Sequence, residues 1–167
     1  QTVVARARET QGTAIVLTFD PHPVRVLAPH VELRFLTSPE EKLDRFKTSG
    51  VDEVVFLEFT PALAAMTPEQ FADVVLYHHL QVAELFVGEH FAFGKGRAGR
   101  IADLQRFGAA RGFTVHPFKP VVLNGEVVSS TRIRNLIQAG EVQEAAVLLG
   151  RLYGITGIVV SGTQQGQ

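Results

Sequence analysis

Residues 88–100 hold Gly88, Gly94, Gly96 and Gly99, the rings of Phe91 and Phe93, and the cations Lys95, Arg97 and Arg100 within thirteen positions. They directly follow the apolar run Leu85-Phe86-Val87. Glycine lets backbone approach a ligand closely and adopt positive φ. The cations offer charge to an anion and the phenylalanines offer flat apolar faces. Such a loop suits a ligand that is part phosphate and part aromatic ring: a nucleotide or a flavin. The plainer alternative is a mobile basic surface loop whose two phenylalanines belong to the core. The spacing Gly94-x-Gly96-x-x-Gly99 also fits the dinucleotide fingerprint, but the acidic residue needed about 20 positions later is missing around His116 to Lys119. A Walker A reading fails because Gly96 follows Lys95 where a Ser or Thr is required.

A second segment, Ser129-Ser130-Thr131-Arg132-Ile133-Arg134, places three hydroxyls and two cations at a predicted helix start. One hydroxyl serves as an N-cap. Three in a row exceed that need, and arginine is disfavoured near the positive end of a helix by ~0.3–1 kcal/mol. An anion at that end accounts for Arg132 and Arg134, as helix N-termini bind phosphate. A third segment, Asp20-Pro21-His22-Pro23, is stiffened by two prolines; it either holds His22 and the Phe19 backbone against a ring or is a rigid loop with an incidental histidine. His78 and His79 are adjacent and make a poor metal pair, and His30 and His116 lack partners at ligand spacing, so no protein-built metal cage is expected.

The elements that would carry these segments follow from pattern. Strand-like runs cover Ala14 to Phe19, Val54 to Leu57, Leu85 to Val87 and Phe113 to His116. Ser38-Pro39-Glu40-Glu41 and Thr67-Pro68-Glu69-Gln70 are capping boxes with proline at the first helical position. The first opens a helix ended by Gly50; the second opens one with Phe71, Val74, Val75 and His78. A third helix runs from about Ala102 to Arg111. Residues Gln1 to Thr10 read as the back half of a helix. Asn124-Gly125 signals a hairpin, and two further helices are predicted, one ending near Ala139-Gly140 and one over Val142 to Leu149. The alternation predicts an α/β fold: one parallel sheet covered on both faces, with right-handed crossovers and ligands beyond the carboxyl ends of the strands. The glycine loop and the Ser129 segment are expected to converge at one rim of that sheet. From Tyr153 the pattern turns strand-like again over Ile155 to Val160, which sets a domain boundary near Arg151.

The chain has 167 residues, 46% of them hydrophobic, a net charge of −1 and no cysteine. That supports one full domain with a fragment of another. It argues against nucleic-acid partners and removes disulfides and thiolate chemistry. No apolar run is long enough to span a membrane, and a cytoplasmic location is expected.

Three motifs in this order, Leu17 to Pro23, Val87 to Gly99 and Val128 to Arg134, resemble those of the bacterial bifunctional riboflavin kinase/FMN adenylyltransferases, or FAD synthetases. Leu149 to Tyr153 followed by Gly157 to Gly162 resembles their junction into the kinase domain. The resemblance implies a Rossmann-like nucleotidyltransferase domain over residues 1–150 and the start of a β-barrel kinase domain over 151–167. It implies transfer of AMP from ATP to FMN, giving FAD and pyrophosphate, with magnesium (Mg2+). Ser129, Ser130, Thr131, Arg132 and Arg134 would lie at the ATP phosphates. Phe19, Asp20, Pro21, His22, Pro23 and Leu27 would lie at the flavin, with Gly88, His90, Phe91 and Phe93, while Lys95 and Arg97 supply loop charge. His90 stands where the family commonly has Asp or Asn. The family's N-terminal strand and its phosphate-binding histidines have no counterpart in these residues, so no catalytic side chain is assigned. The kinase magnesium-ATP segment has no counterpart either. Other readings are a non-catalytic nucleotide- or flavin-binding module, or an adenylyltransferase of the same fold acting on nicotinamide mononucleotide or phosphopantetheine.

Overall fold

The computed structural model describes residues 2–158. Its contacts divide the chain into two compact units, Gln1–Pro120 and Val121–Gln167.

The first unit opens with α1 (Thr2–Glu9), β1 (Ile15–Asp20) and a short α2 (Pro23–Leu27). There follow α3 (Pro39–Thr48), β2 (Glu53–Glu58), α4 (Pro61–Ala65) and α5 (Pro68–Phe71). The chain winds on from α5 as a π-helix, Ala72–His79, then enters β3 (Glu84–Gly88), a 3-10 turn (Lys95–Arg97), α6 (Ile101–Arg111) and β4 (Thr114–Phe118). Both expected capping boxes form, at Ser38 with Glu41 and at Thr67 with Gln70. Thr60 caps α4 by the same hydroxyl-then-proline device. Left-handed Gly112 ends α6.

β1 and β2 pair in parallel from Ile15 opposite Glu53 to Asp20 opposite Glu58. β3 and β4 pair in parallel from Glu84 opposite Thr114 to Gly88 opposite Phe118. The single parallel sheet expected from the sequence is therefore two two-stranded ladders. Among the described residues no strand hydrogen-bonds between them, so β1 and β3 each carry one unpaired edge. Both ladders face one core, in which Leu17, Phe19, Leu57, Leu85 and Val87 pack against Phe71, Leu76, Leu104 and Phe107. The second correction lies at residues 72–79. An α-helical stripe would bury Val74, whereas the wider π winding buries Phe71, Ala72, Val75 and Leu76 and leaves Val74 exposed.

The second unit holds the hairpin β5 (Val122–Leu123) and β6 (Glu126–Val127), then α7 (Ser130–Gln138) and α8 (Val142–Leu149). Asn124 and Gly125 both take positive φ, as a tight two-residue hairpin turn requires. Residues 152–158 form no strand; Val159 and Val160 of the expected strand, and the rest of the tail, lie outside the described residues.

α1 is fixed by charge at two places. Arg8 makes a two-pronged contact with Asp52, 2.7 and 2.9 Å, and the Ala14 N–H donates to the same carboxylate at 2.8 Å. Arg6 Nε lies 2.9 Å from Glu84 at the start of β3. His116 Nε2 is 2.9 Å from the other Glu84 oxygen, though not aligned for a hydrogen bond. Arg8 and the Ala14 N–H hold Asp52 at about 2, below its ordinary 3.8; Arg6 lowers Glu84 likewise. A carboxylate depressed by folding stabilises fully above its unfolded value and loses that contribution as pH falls through the folded one. The melting temperature is therefore expected to drop between pH 3.8 and about 2, and Asp52→Asn to flatten that part of the profile. A variant whose acid profile overlays the wild type would remove the Arg8 contact from the account.

Candidate functional site

The glycine loop leaves the carboxyl end of β3 and is held from several sides. The Glu89 N–H donates to the Phe118 carbonyl at 2.8 Å and the Phe91 N–H to Gly88 at 2.8 Å. Phe93 and Gly99 form an antiparallel bridge, with N–H to O distances of 3.2 and 2.9 Å. The Lys95 N–H donates to the Met66 carbonyl at 2.7 Å. The loop is thus tethered by backbone bonds at both ends and in its middle.

Its two rings have different fates. Phe93 is only 6% exposed. It packs at 5.8 Å from Phe71 and stacks at 5.8 Å and 11° on Phe91. The paired expectation for Phe91 and Phe93 is corrected accordingly: Phe93 belongs to the core, and Phe91, half-buried above it, is the ring the loop presents. Phe91 walls a cavity of about 360 Å³ with Glu89, His90, Arg97, Arg100 and Ile101. His90 stands exposed, 3.5 Å from Glu89. Arg100 folds back to the carbonyls of Gly99 and Arg97. Its backbone N–H donates to the Asp103 carboxylate at 3.0 Å, and that contact, with Arg106, lowers the Asp103 pKa. Lys95 does not line the cavity.

The Asp20 to Pro23 segment leaves the carboxyl end of β1 through a cis Asp20-Pro21 bond. His22 caps α2, its Nδ1 accepting the Val24 N–H at 3.2 Å, with Pro23 at the first helical position. Its ring meets Phe35 edge-on at 5.6 Å, and the Arg25 guanidinium lies 4.8 Å over the same ring. Phe19 points to the core side, 5.3 Å from Phe59. Leu27 is 64% exposed. Sequence reading missed α2; its signal was the histidine-then-proline pair acting as Ser-Pro and Thr-Pro do elsewhere in the chain.

In the second unit, Ser129 caps α7 by accepting the Arg132 N–H at 3.2 Å. Ser130 and Thr131 follow, exposed, in the first turn. Arg132 reaches Glu126 at 2.7 Å and Glu144 at 2.9 Å. These acids account for its charge near the positive end of the helix, so the argument that an external anion must do so is corrected for Arg132. Arg134 lies one position past the buried Ile133 and is half-buried. Among the described residues no group of three His, Cys, Asp or Glu side chains could hold a metal ion, and no helix is long and apolar enough to cross a membrane.

A family model described as FAD synthetase matches residues 1–132. The chain belongs to the FAD synthetase family. It is 33% identical over 172 residues to a bifunctional riboflavin kinase/FMN adenylyltransferase of Listeria monocytogenes, covering 100% of this chain and 54% of that protein. Its counterpart of the same name from Escherichia coli K12 is 33% identical over 160 residues, 96% of this chain and 51% of that one. That from Pseudomonas fluorescens is 34% identical over 166 residues, 97% and 53%. The chain thus spans about half the length of the curated relatives it matches. A crystal structure described as a macrolide-efflux protein from Streptococcus pneumoniae superposes with a TM-score of 0.74 at 27% identity, covering 88% of this chain and 48% of that one.

The loop's closure tests the geometry. A Cβ on Gly99 would lie 2.6 Å from the Phe93 ring and 2.8 Å from Pro68, so Gly99→Ala is expected to cost ~1–3 kcal/mol by overpacking. At Gly96 nothing lies within 4 Å and only its φ of +62° opposes a side chain; Gly96→Ala is expected to cost ~1 kcal/mol. Urea titration compares the two, and a Gly99 variant no less stable than the Gly96 one would show that the bridge yields.

Proposed function

We propose that this chain is the FMN-adenylylating part of an FAD-forming enzyme, with a Rossmann-like nucleotidyltransferase fold over residues 1–150 and the start of a riboflavin kinase barrel over 151–167. The observation that carries the reading is the cavity beside Phe91 and Arg97 in a loop tethered to the core, within a chain of the FAD synthetase family. The names and double length of the relatives support a second, riboflavin-phosphorylating activity in the complete protein.

In the reaction, an FMN phosphate oxygen attacks the α-phosphorus of ATP. A new P–O–P bond forms, the bond to the β-phosphate breaks and pyrophosphate leaves. Such transfers need little covalent help; the protein positions the groups and offsets charge. The Phe91 face and the Leu27 side chain would take the apolar ring. The Ser130 and Thr131 hydroxyls, the first-turn N–H groups of α7 and Arg134 would hold ATP phosphates. Magnesium usually comes with the phosphates, bound by one or two carboxylates rather than by a protein cage. It would neutralise polyphosphate charge.

Incubating the complete protein with ATP, magnesium and FMN is expected to yield FAD and pyrophosphate. Inert FMN with turnover of nicotinamide mononucleotide or phosphopantetheine would overturn the substrate. Binding of FMN and ATP with no product would favour a binding module.

Arg134→Ala is expected to weaken ATP use by ~1.5–3 kcal/mol, the scale of one charge-assisted contact, and to leave flavin affinity in place. Arg132→Ala is expected to lower the melting temperature through loss of Glu126 and Glu144, with the smaller effect on ATP. Equal losses of ATP affinity in the two variants would contradict this division.

A further inference from the structure

The structure separates two loop cations that the sequence presents alike. Lys95 sits outside the cavity, whereas Arg97 lines it. The other arginines of this region are engaged: Arg100 with the Gly99 and Arg97 carbonyls, Arg106 with Asp103 at 3.3 Å, and Arg111 with Asp73 and Glu69. Among the described residues the Arg97 guanidinium has no acid or carbonyl partner. Its backbone is also unusual. Arg97 takes φ +57°, in the left-handed region, next to Gly94 at +71° and Gly96 at +62°. Glycine would hold that conformation without strain. A bulky residue kept in a sparsely populated conformation at a cavity wall points to a use for its side chain.

We propose that Arg97 is a specificity-determining residue that reads the heteroatom edge of a planar ring lying on Phe91. Its guanidinium fork carries parallel N–H donors. The flavin ring offers matching pairs of adjacent acceptors, each a carbonyl oxygen beside a ring nitrogen. Phe91 supplies the stacking face, backed by Phe93 at 11°. Glu89 shares the cavity lining with Arg97 and Arg100, and its carboxylate repels a phosphate dianion more strongly than a neutral ring carbonyl. Lysine could not replace the fork, because an ammonium is a point charge. The inference rests on the flavin reading proposed above.

The test uses the complete protein with Arg97→Gly and Arg97→Lys. Glycine accepts the native φ, so a retained melting temperature shows that Arg97→Gly is folded. In FAD formation, kcat/KM for FMN is expected to fall about tenfold in both variants, the scale of a lost charge-assisted bond. Lumiflavin, which has the ring but neither ribityl chain nor phosphate, competes with FMN; its inhibition constant is expected to rise by the same factor. Inhibition by inorganic phosphate should not change. Lumiflavin inhibition unaltered in Arg97→Gly, or a change confined to phosphate, would overturn the assignment. The two readings also fail separately. Wild-type protein that makes FAD, with Arg97→Gly indistinguishable from it, removes only the role of Arg97. Wild-type protein that makes no FAD yet quenches lumiflavin fluorescence, with quenching lost in Arg97→Gly, removes only the transferase activity.

Discussion

Phe93 sits almost fully buried between Phe71 and Phe91, and the rest of the glycine loop is placed by where that ring goes. Anchoring one ring in the core leaves the next aromatic, two residues earlier, stacked on top of it. The bridge to Gly99 then closes residues 94–98 into a short excursion. Gly99 must be glycine because the Phe93 ring edge occupies the space of a side chain. A loop rich in glycine is usually read as permissive backbone. Here Gly94 and Gly99 allow close packing against Pro68 and Phe93, and the close packing fixes the loop that carries Arg97. Burial of a phenylalanine contributes ~1.5–3 kcal/mol, enough to hold such an excursion without regular secondary structure.

Local chemistry was legible in the sequence. Ser38 and Thr67 announced their helices because a hydroxyl cap followed by proline and by Glu or Gln has a backbone reason to be there, and Ser129 did so by its hydroxyl alone. Gly112, Gly140 and Gly150 ended helices, and Asn124-Gly125 turned the hairpin, for equally local reasons. What depended on distant residues was not legible. Arg132 looked like a cation in want of an anion, since Glu126 and Glu144 reach it only through the fold of the hairpin and α8. Phe91 and Phe93 look alike in the sequence, and only the position of Phe71 tells them apart. Whether β1 pairs with β3 is a question of register between strands that periodicity does not address. The π winding after Phe71 likewise follows from which side chains the core accepts, because the local sequence is compatible with an α-helix.

In the function proposed above, a nucleotidyl transfer in this member of the FAD synthetase family would rest on positioning. No acidic cluster and no cysteine is present among the described residues. What remains is a flat ring, a fork of donors, a helix end with exposed hydroxyls and charges at defined places. That is the inventory of a positioning device. In the proposal, its selectivity would reside in the shape and donor pattern of the cavity wall that Phe91 and Arg97 line.

The ion pairs of α1 carry a mechanical meaning. Arg8 grips the residue before β2 and Arg6 grips the first residue of β3, two residues apart on one helix. The helix therefore acts as a tie rod between halves of the unit whose ladders exchange no backbone bonds among the described residues. Side-chain interdigitation, the Lys95 to Met66 backbone bond and this rod resist shear between the halves. Cutting the chain just after α1 would leave two β-ladders free to breathe out of step, and amide exchange would then report two protection levels in place of one.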